Sequence, residues 1–385
     1  MNVSSAHVSY ASCLYAENPA TFILGIPMGL WYNNSISRKA EKCNPKSNRL
    51  EGKPVSYTAN ESRYSQMTYR NSGKSGLKLP LLSLGLWHNY GTNDDYQNMK
   101  NMCFAAFDRG VTHFDLANNY GPVPGSAETN FGRILREEFS AYRDEMIIST
   151  KAGYTMWPGP YGDWGSRKYL LASLDQSLKR MGLPYVDIFY HHRMDKNTPL
   201  EESMMALDTA VKSGRALYAG LSNYDSATAR QAAAILKDLR CPFVINQVRY
   251  SIFDRHIEAD KLEQTADDVG FGIICFSPLA QGLLTDRYIG GIPEDSRIGK
   301  GGPFLKREQL TDEKLGQIRA LNEVAGSRGQ SLSELALSWV LRSSQVTSVL
   351  IGASSPEQII QNLGILHAPA FTADELNKID AITGV

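Results

Sequence analysis

From Tyr69 onward the chain alternates short apolar or β-branched runs with longer segments of helical period. The runs are LLSLGLW (81–87), VTHFDLA (111–117), MIISTKA (146–152), VDIFYHH (186–192), ALYAGLS (216–222), FVINQVRY (243–250), GIICFSPL (272–279) and TSVLIGA (347–353). Between them lie segments such as NMKNMCFAAFDRG and RKYLLASLDQSLKRMG, whose apolar residues recur three and four apart and which close on Gly, a C-cap signal. Strands that alternate with helices predict an α/β chain with a parallel sheet. Eight such units suit a closed (β/α)8 TIM barrel. The structural alternative is an open doubly wound sheet. It usually carries GxGxxG after its first strand, and that motif is absent from this sequence.

The opening MTYRNSGKSGLKLP (67–80) reads as an N-terminal hairpin placed to cover the bottom of the barrel. The long irregular stretches 153–166 and 280–304 follow strands three and seven. Both leave the C-terminal face, where barrel active sites lie, and loops of that length are usually functional. Residues 1–63 are different in kind: rich in Ser, Asn and Tyr, without sustained period, and ending in a basic polar stretch. They are expected to form a poorly ordered extension, with 64–385 as the barrel, and Met67 is an alternative start.

Composition excludes several classes. Lys plus Arg equals Asp plus Glu at 40 each, so no global field favours nucleic acid or an anionic membrane. Five cysteines without CxxC spacing predict a reduced, cytoplasmic protein with neither a disulfide framework nor a zinc site. No run approaches the ~20 apolar residues of a membrane span. The run 20–32 lacks a preceding Lys or Arg and contains Pro27, which makes a poor targeting core.

Asp115, Tyr120, Lys151 and His192 all stand at or just beyond the ends of three successive strand runs. In a barrel those ends surround one mouth. A phenol, an ammonium, a carboxylate and an imidazole are what a reducing enzyme needs to protonate a carbonyl oxygen. Tyrosine ordinarily titrates near pH ~10, so Lys151 is expected to favour the phenolate and lower that value, with Asp115 holding the lysine. Singly, each residue reads as an ordinary strand-end polar group; as a set they read as acid–base chemistry. His191 and His192 point to opposite faces, and with no HxH or HExxH a metal site is not expected.

THFDLANNYG, IISTKAG, VDIFYHHR, LSNY, INQVRY, FSPLAQGLLT and LIGASSPEQIIQN together resemble the aldo-keto reductase family from about Tyr64 to the end, over four-fifths of the chain. The branch most resembled contains bacterial L-glyceraldehyde 3-phosphate reductase and the voltage-gated potassium channel β subunits. The run GYTMWPGPYGDWGSRKYLLASLDQSLKRMGL is especially like the bacterial enzyme. The resemblance implies a tetrad of Asp115, Tyr120, Lys151 and His192 with Tyr120 as acid, and NADPH extended across the barrel mouth. It places Trp87 beside cofactor and substrate, Ser222, Asn223 and Gln247 at the carboxamide, and Phe276 on the nicotinamide. Ser277, Pro278, Leu279, Gln281, Gly282 and Leu284 match the pyrophosphate loop, Arg287 and Arg297 the 2′-phosphate, and Gly352, Ser354, Gln358 and Asn362 the adenosine end. Many relatives carry Arg at the position of Gln358, so NADPH preference rests on Arg287 and Arg297. Physical reading of the loops agrees in kind: SPLAQG offers backbone N–H groups and SSPEQ a helix start that favours anions. Core packing remains the alternative for Phe276.

The mouth is expected to be lined by Trp87, His88, Tyr154, Trp157, Trp164 and Arg193. Aromatics suit a small carbonyl compound, and Arg193 could clamp a phosphate or carboxylate, or pair with Asp195 or another acid. The expected activity is NADPH-dependent reduction of a small aldehyde such as glyceraldehyde 3-phosphate or methylglyoxal. The alternative is an NADPH-binding regulatory subunit of a membrane channel; His192 argues against it, because the channel subunits generally have Asn there. A small-molecule partner, no nucleic acid, no membrane insertion and an open question of homo-oligomerisation complete the expectation.

Overall fold

The computed structural model describes residues 57–294, 296, 298–299, 301 and 305–384. Ten strands are described: β1 Tyr69–Asn71, β2 Lys78–Pro80, β3 Leu82–Gly85, β4 His113–Asp115, β5 Ile147–Ala152, β6 Val186–His191, β7 Ala216–Ser222, β8 Phe243–Arg249, β9 Gly272–Phe276 and β10 Val346–Ile351. The last eight close into a parallel barrel in the order β10-β3-β4-β5-β6-β7-β8-β9. Each of the eight runs read from the sequence supplies one barrel strand, so the (β/α)8 TIM barrel is the observed fold. Strands buried on both faces explain why the runs are apolar almost throughout rather than alternating; β6 and β10 are buried at every residue.

The helices cover the outside by one face each. Arg167–Met181 is typical: Ser166 caps its first turn by accepting from Tyr169 N, and Gly182 ends it at φ 69°. Its buried residues Tyr169, Leu170, Ser173, Leu174, Ser177, Leu178 and Met181 recur at three- and four-residue steps and form the stripe that meets the sheet. Thr372 and Glu375 close a reciprocal capping box on Ala373–Thr383, and Ser331 and Glu334 do the same on Leu332–Val340.

β1 and β2 pair antiparallel as the expected hairpin. It closes the N-terminal end of the barrel. Leu77 and Leu79 pack with Ile188, Val244, Ile245 and Ile274. Arg70 donates to the carbonyls of Leu341, Ser343 and Val346, and Ser72 Oγ to that of Val244. Gly73 is required at the crossing: its φ is +56°, and a Cβ there would lie 2.2 Å from the Gly270 carbonyl oxygen.

Residues 57–63, assigned from the sequence to the extension, are packed on the barrel. The Tyr57 ring stacks on Phe104 at 4.1 Å and meets Phe139 edge-on at 5.1 Å, and its hydroxyl donates to Asp108 at 2.6 Å. Asn60 N donates to the same carboxylate, and Arg63 pairs with Glu145. A half-buried aromatic ring held this way contributes about 1–3 kcal/mol through burial and ring geometry. The rest of the expected extension lies outside the described residues. A chain beginning at residue 64 is therefore expected to melt roughly 5 °C or more below one beginning at residue 57. Circular dichroism melts of the two would decide; equal midpoints would show that the docked segment contributes nothing.

Candidate active site

Alternation along the strands sets the site. Asp115 ends β4, Lys151 lies near the end of β5 and His192 directly follows β6, so all three reach the C-terminal mouth. Lys151 is fully buried; its ammonium donates to Asp115 Oδ2 at 2.5 Å and to the Leu116 carbonyl at 2.6 Å. Asp115 Oδ1 accepts from Ser149 Oγ at 2.7 Å and from Gln247 Nε2 at 3.1 Å. The Lys151 ammonium lies 4.7 Å from the centre of the Tyr120 ring, and His192 meets that ring nearly edge-on at 6.0 Å. The four residues expected to act together are thus within one small volume.

Burial dominates their electrostatics. It pushes the Lys151 ammonium below its ordinary value, and Asp115 pulls it back up. His192 is held well below the usual imidazole range, first by burial and then by the charges of Lys151 and Arg193, so the ring is neutral. The Tyr120 phenol behaves opposite to the sequence-based expectation. Burial, then the Asp115 and Tyr154 groups, raise it well above 10. The reason is geometric: Lys151 directs its hydrogen bonds to Asp115 and Leu116 and faces the Tyr120 ring, while desolvation penalises the phenolate directly.

His191 and His192 diverge as the pleat requires. His191 Nδ1 bonds the Tyr224 hydroxyl at 2.6 Å, away from the mouth, beside Gly165 and Ser203. No group of three or more potential metal ligands occurs among the described residues.

Several of the aromatic side chains named for the rim lie near Tyr120 and His192. Trp87 lies 6.2 Å from Tyr120, and Tyr154 meets His192 edge-on at 4.7 Å. Trp157 packs on Tyr169 at 5.3 Å, further from the centre. The Arg193 guanidinium is stacked between Tyr154 at 4.2 Å and Trp164 at 3.6 Å, and it pairs with Asp163 at 2.8 Å rather than with Asp195. Asp195 accepts instead from Gly165 N, Asn197 N and Thr198 Oγ1.

The residues matched to a dinucleotide also fall on the C-terminal loops. Asn223, left-handed at φ 58°, ties β6 to β8: its N–H donates to the Gln247 carbonyl and its side chain to that of His192. Gln247 itself donates to Asp115. Ser222 ends β7, and Phe276, at the end of β9, is partly buried. In the following loop Ser277, Ala280 and Gln281 all have positive φ, with Gln281 Nε2 on Ser277 Oγ at 3.1 Å. Leu279 near the right-handed region followed by left-handed Ala280 is the backbone sequence of an anion nest. Pro278 is buried and Leu279 and Gly282 are partly exposed, but the Leu284 side chain is fully buried in the core, so only its backbone can face a ligand. Arg287 is exposed; Arg297 lies outside the described residues. Gly352 and Ser354 are exposed after β10, Ser354 N donates to Gln358 Oε1, and Asn362 is buried.

Sequence reasoning missed Ser149, Asp163 and Tyr169. Ser149 could have been found from period two, since it lies two residues before Lys151 on the same face of β5. Asp163 reaches the mouth through loop folding and left no periodic signal; Tyr169, in the first turn of Arg167–Met181, belongs to that helix's buried stripe, but its period gives no sign that its hydroxyl donates to the Tyr154 carbonyl at 2.5 Å.

Both the barrel and its mouth place the chain among oxidoreductases that reduce carbonyls on a (β/α)8 scaffold, and comparison with known proteins agrees. Residues 81–383 match the aldo/keto reductase family; the chain belongs to it. It is similar, at 55% identity over 327 residues, to L-glyceraldehyde 3-phosphate reductase from Escherichia coli O157:H7 and from strain K12, covering 84% of this chain and 94% of each relative. It is also 34% identical over 323 residues to a probable voltage-gated potassium channel subunit beta from Oryza sativa subsp. japonica, covering 82% of this chain and 96% of that one. No helix among the described residues is long and apolar enough to cross a membrane.

His113 and His191 are both fully buried and pushed down to about 4 by burial. The unfolded chain takes up these protons near pH ~6.5, the folded chain only about 4, so stability is full above the first value and is lost as pH falls toward the second. The urea midpoint is expected to drop between pH 7 and pH 5. A midpoint unchanged over that interval would contradict the burial of neutral imidazoles.

Proposed function

We propose that the chain reduces short aldehydes with NADPH, Tyr120 giving the proton, and that glyceraldehyde 3-phosphate and methylglyoxal are the substrates to test first. The observation that carries this reading is the buried Lys151–Asp115 pair 4.7 Å from the Tyr120 ring, with a neutral His192 at its edge. The name of the Escherichia coli relatives supports the phosphorylated aldehyde.

The loops fit the cofactor. The 277–282 turn offers anion-binding backbone, the exposed Arg287 would supply positive charge for a 2′-phosphate, with Arg297, outside the described residues, the second candidate, and Trp87 with Phe276 would offer aromatic faces for a nicotinamide. Ser222, Asn223 and Gln247 would hold the carboxamide, and Gly352, Ser354, Gln358 and Asn362 the adenosine. When bound, NADPH supplies the hydride to the carbonyl carbon. The protein does the rest. His192, neutral, donates a hydrogen bond that orients the carbonyl oxygen. Tyr120 stays protonated across the neutral range because its phenol is raised, and an alkoxide-like oxygen is basic enough to take its proton. The Lys151 ammonium offsets the phenolate charge that this leaves, and Asp115 keeps the ammonium in place. The proton ends on oxygen and the hydride on carbon, giving the alcohol. The buried free thiols Cys103, Cys241 and Cys275 support a reducing, cytoplasmic setting.

Tyr120→Phe is expected to lower kcat by roughly 10²–10⁴-fold, as loss of a general acid does, with NADPH affinity little changed. Near-full turnover by that variant, followed by NADPH absorbance, would end the assignment. The rice relative's name keeps a channel-associated role as the second reading. Binding of NADPH without steady consumption on any short aldehyde, with co-purification of a membrane protein, would favour it.

Arg193 is the group we assign to an anionic end of the substrate, exchanging Asp163 for phosphate. Arg193→Ala should raise KM for glyceraldehyde 3-phosphate about 10–100-fold, the worth of a hydrogen bond to a charged group, and leave methylglyoxal largely unaffected. Equal effects on the two aldehydes would remove Arg193 from phosphate recognition.

A further inference from the structure

Beneath the mouth, a line of fully buried polar side chains crosses the barrel interior. Ser348 Oγ lies 2.7 Å from Ser83 Oγ, Ser83 Oγ 2.9 Å from His113 Nδ1, and His113 Nε2 3.0 Å from Ser149 Oγ. Ser149 Oγ then donates to Asp115 Oδ1 at 2.7 Å. None of these groups touches solvent, so each must be satisfied within the line or at its ends. β10, β3, β4 and β5 supply them side by side.

The direction of every proton in the line follows from its last member. An Asp115 carboxylate paired with Lys151 only accepts. Ser149 has one hydroxyl proton, and it goes to Asp115. Ser149 Oγ must therefore accept from His113, which puts the His113 proton on Nε2. The neutral ring has one N–H, so Nδ1 accepts, and Ser83 donates to it. Ser83 then accepts from Ser348, whose contact to Ser83 is shorter than its 3.3 Å alternative to the Leu81 carbonyl. Burial keeps the ring neutral, which is the state this ordering needs. The opposite tautomer would turn Ser149 toward His113 and set two lone pairs against each other at Asp115 Oδ1.

We propose that His113 is a positioning residue for the proton-donating group: held as the Nε2–H tautomer between Ser83 and Ser149, it fixes the Ser149 hydroxyl on Asp115 and so the orientation of the carboxylate that places Lys151 against Tyr120. This rests on the reading of Tyr120 as acid for its catalytic consequence, but the tautomer and the direction of the line do not.

Two measurements test it. The first uses the unaltered protein labelled with ¹⁵N-histidine: the His113 ring should show a protonated Nε2 and an unprotonated Nδ1, unchanged from pH 8 to pH 5. An Nδ1–H tautomer, or a ring that titrates in that range, overturns the proposal whatever Tyr120 does. The second compares Ser149→Ala, His113→Leu and the double variant. Each single change should lower kcat about 10–100-fold, the scale of one hydrogen bond to a charged group, with NADPH affinity and aldehyde KM within a few-fold of the parent. The double variant should be no slower than the slower single, because both act through one line. His113→Gln, which can keep a donor toward Ser149, should recover most of the loss. Additive losses, or a fall in cofactor affinity matching the fall in kcat, would show a merely structural role. If His113→Leu does not fold, Ser149→Ala and His113→Gln carry the kinetic comparison. Failure of Tyr120→Phe to lose activity would overturn the proposed reaction while leaving the tautomer result intact.

Discussion

A lysine ammonium with no solvent exposure can exist inside a barrel only where a partner and hydrogen bonds replace the water it has lost. Asp115 and the Leu116 carbonyl do this for Lys151, and removal of one member of such a pair commonly costs about 3–5 kcal/mol because a buried charge is left alone. The pair exists only if the barrel closes in register. Asp115 faces Ser149 across the β4–β5 ladder, and Gln247 reaches Asp115 from β8, the strand opposite β4 in the ring of eight. A one-residue slip of β5 would turn Lys151 and Ser149 to the helix side and undo their contacts to Asp115, leaving only Gln247 on that carboxylate.

That constraint organises the mouth above it. His192 follows β6 beside the pair and is kept neutral partly by the Lys151 charge. Tyr154 packs on His192, Tyr169 anchors the Tyr154 backbone, and Arg193 is stacked between Tyr154 and Trp164. The long loop after β5 is therefore continuous with the polar centre: it brings aromatic surface to the place where a carbonyl would meet Tyr120, and the segment after β6 brings the one cation, Arg193, against it. A site of this kind, with a charged pair beneath and an aromatic wall beside it, suits a small polar molecule carrying a reducible carbon.

Much of this could be read from residue order. The eight apolar runs became eight barrel strands because a strand buried on both faces has to be apolar along its length, and that pattern survives in one dimension. The hairpin and the divergence of His191 from His192 were legible for the same reason, since turn chemistry and the two-residue pleat are local. Tyr57 was not legible: an isolated tyrosine in a polar segment carries no period, and its place between Phe104 and Phe139 is a long-range contact. Nor was the choice of Asp163 over Asp195 as the Arg193 partner, because both acids lie in loops whose paths depend on the whole mouth.

By itself the sequence determined the strand and helix alternation, the family, and which four residue types reach one end of the barrel, because these depend on local period and on strand ends. Only the tertiary structure decided how those four are tuned. The neutral rings of His113 and His192 and the line of hydroxyls behind Asp115 come from burial inside the closed barrel, and the raised phenol of the partly buried Tyr120 from its desolvation at the mouth. Desolvation is a property of the closed barrel, and no stretch of sequence carries it.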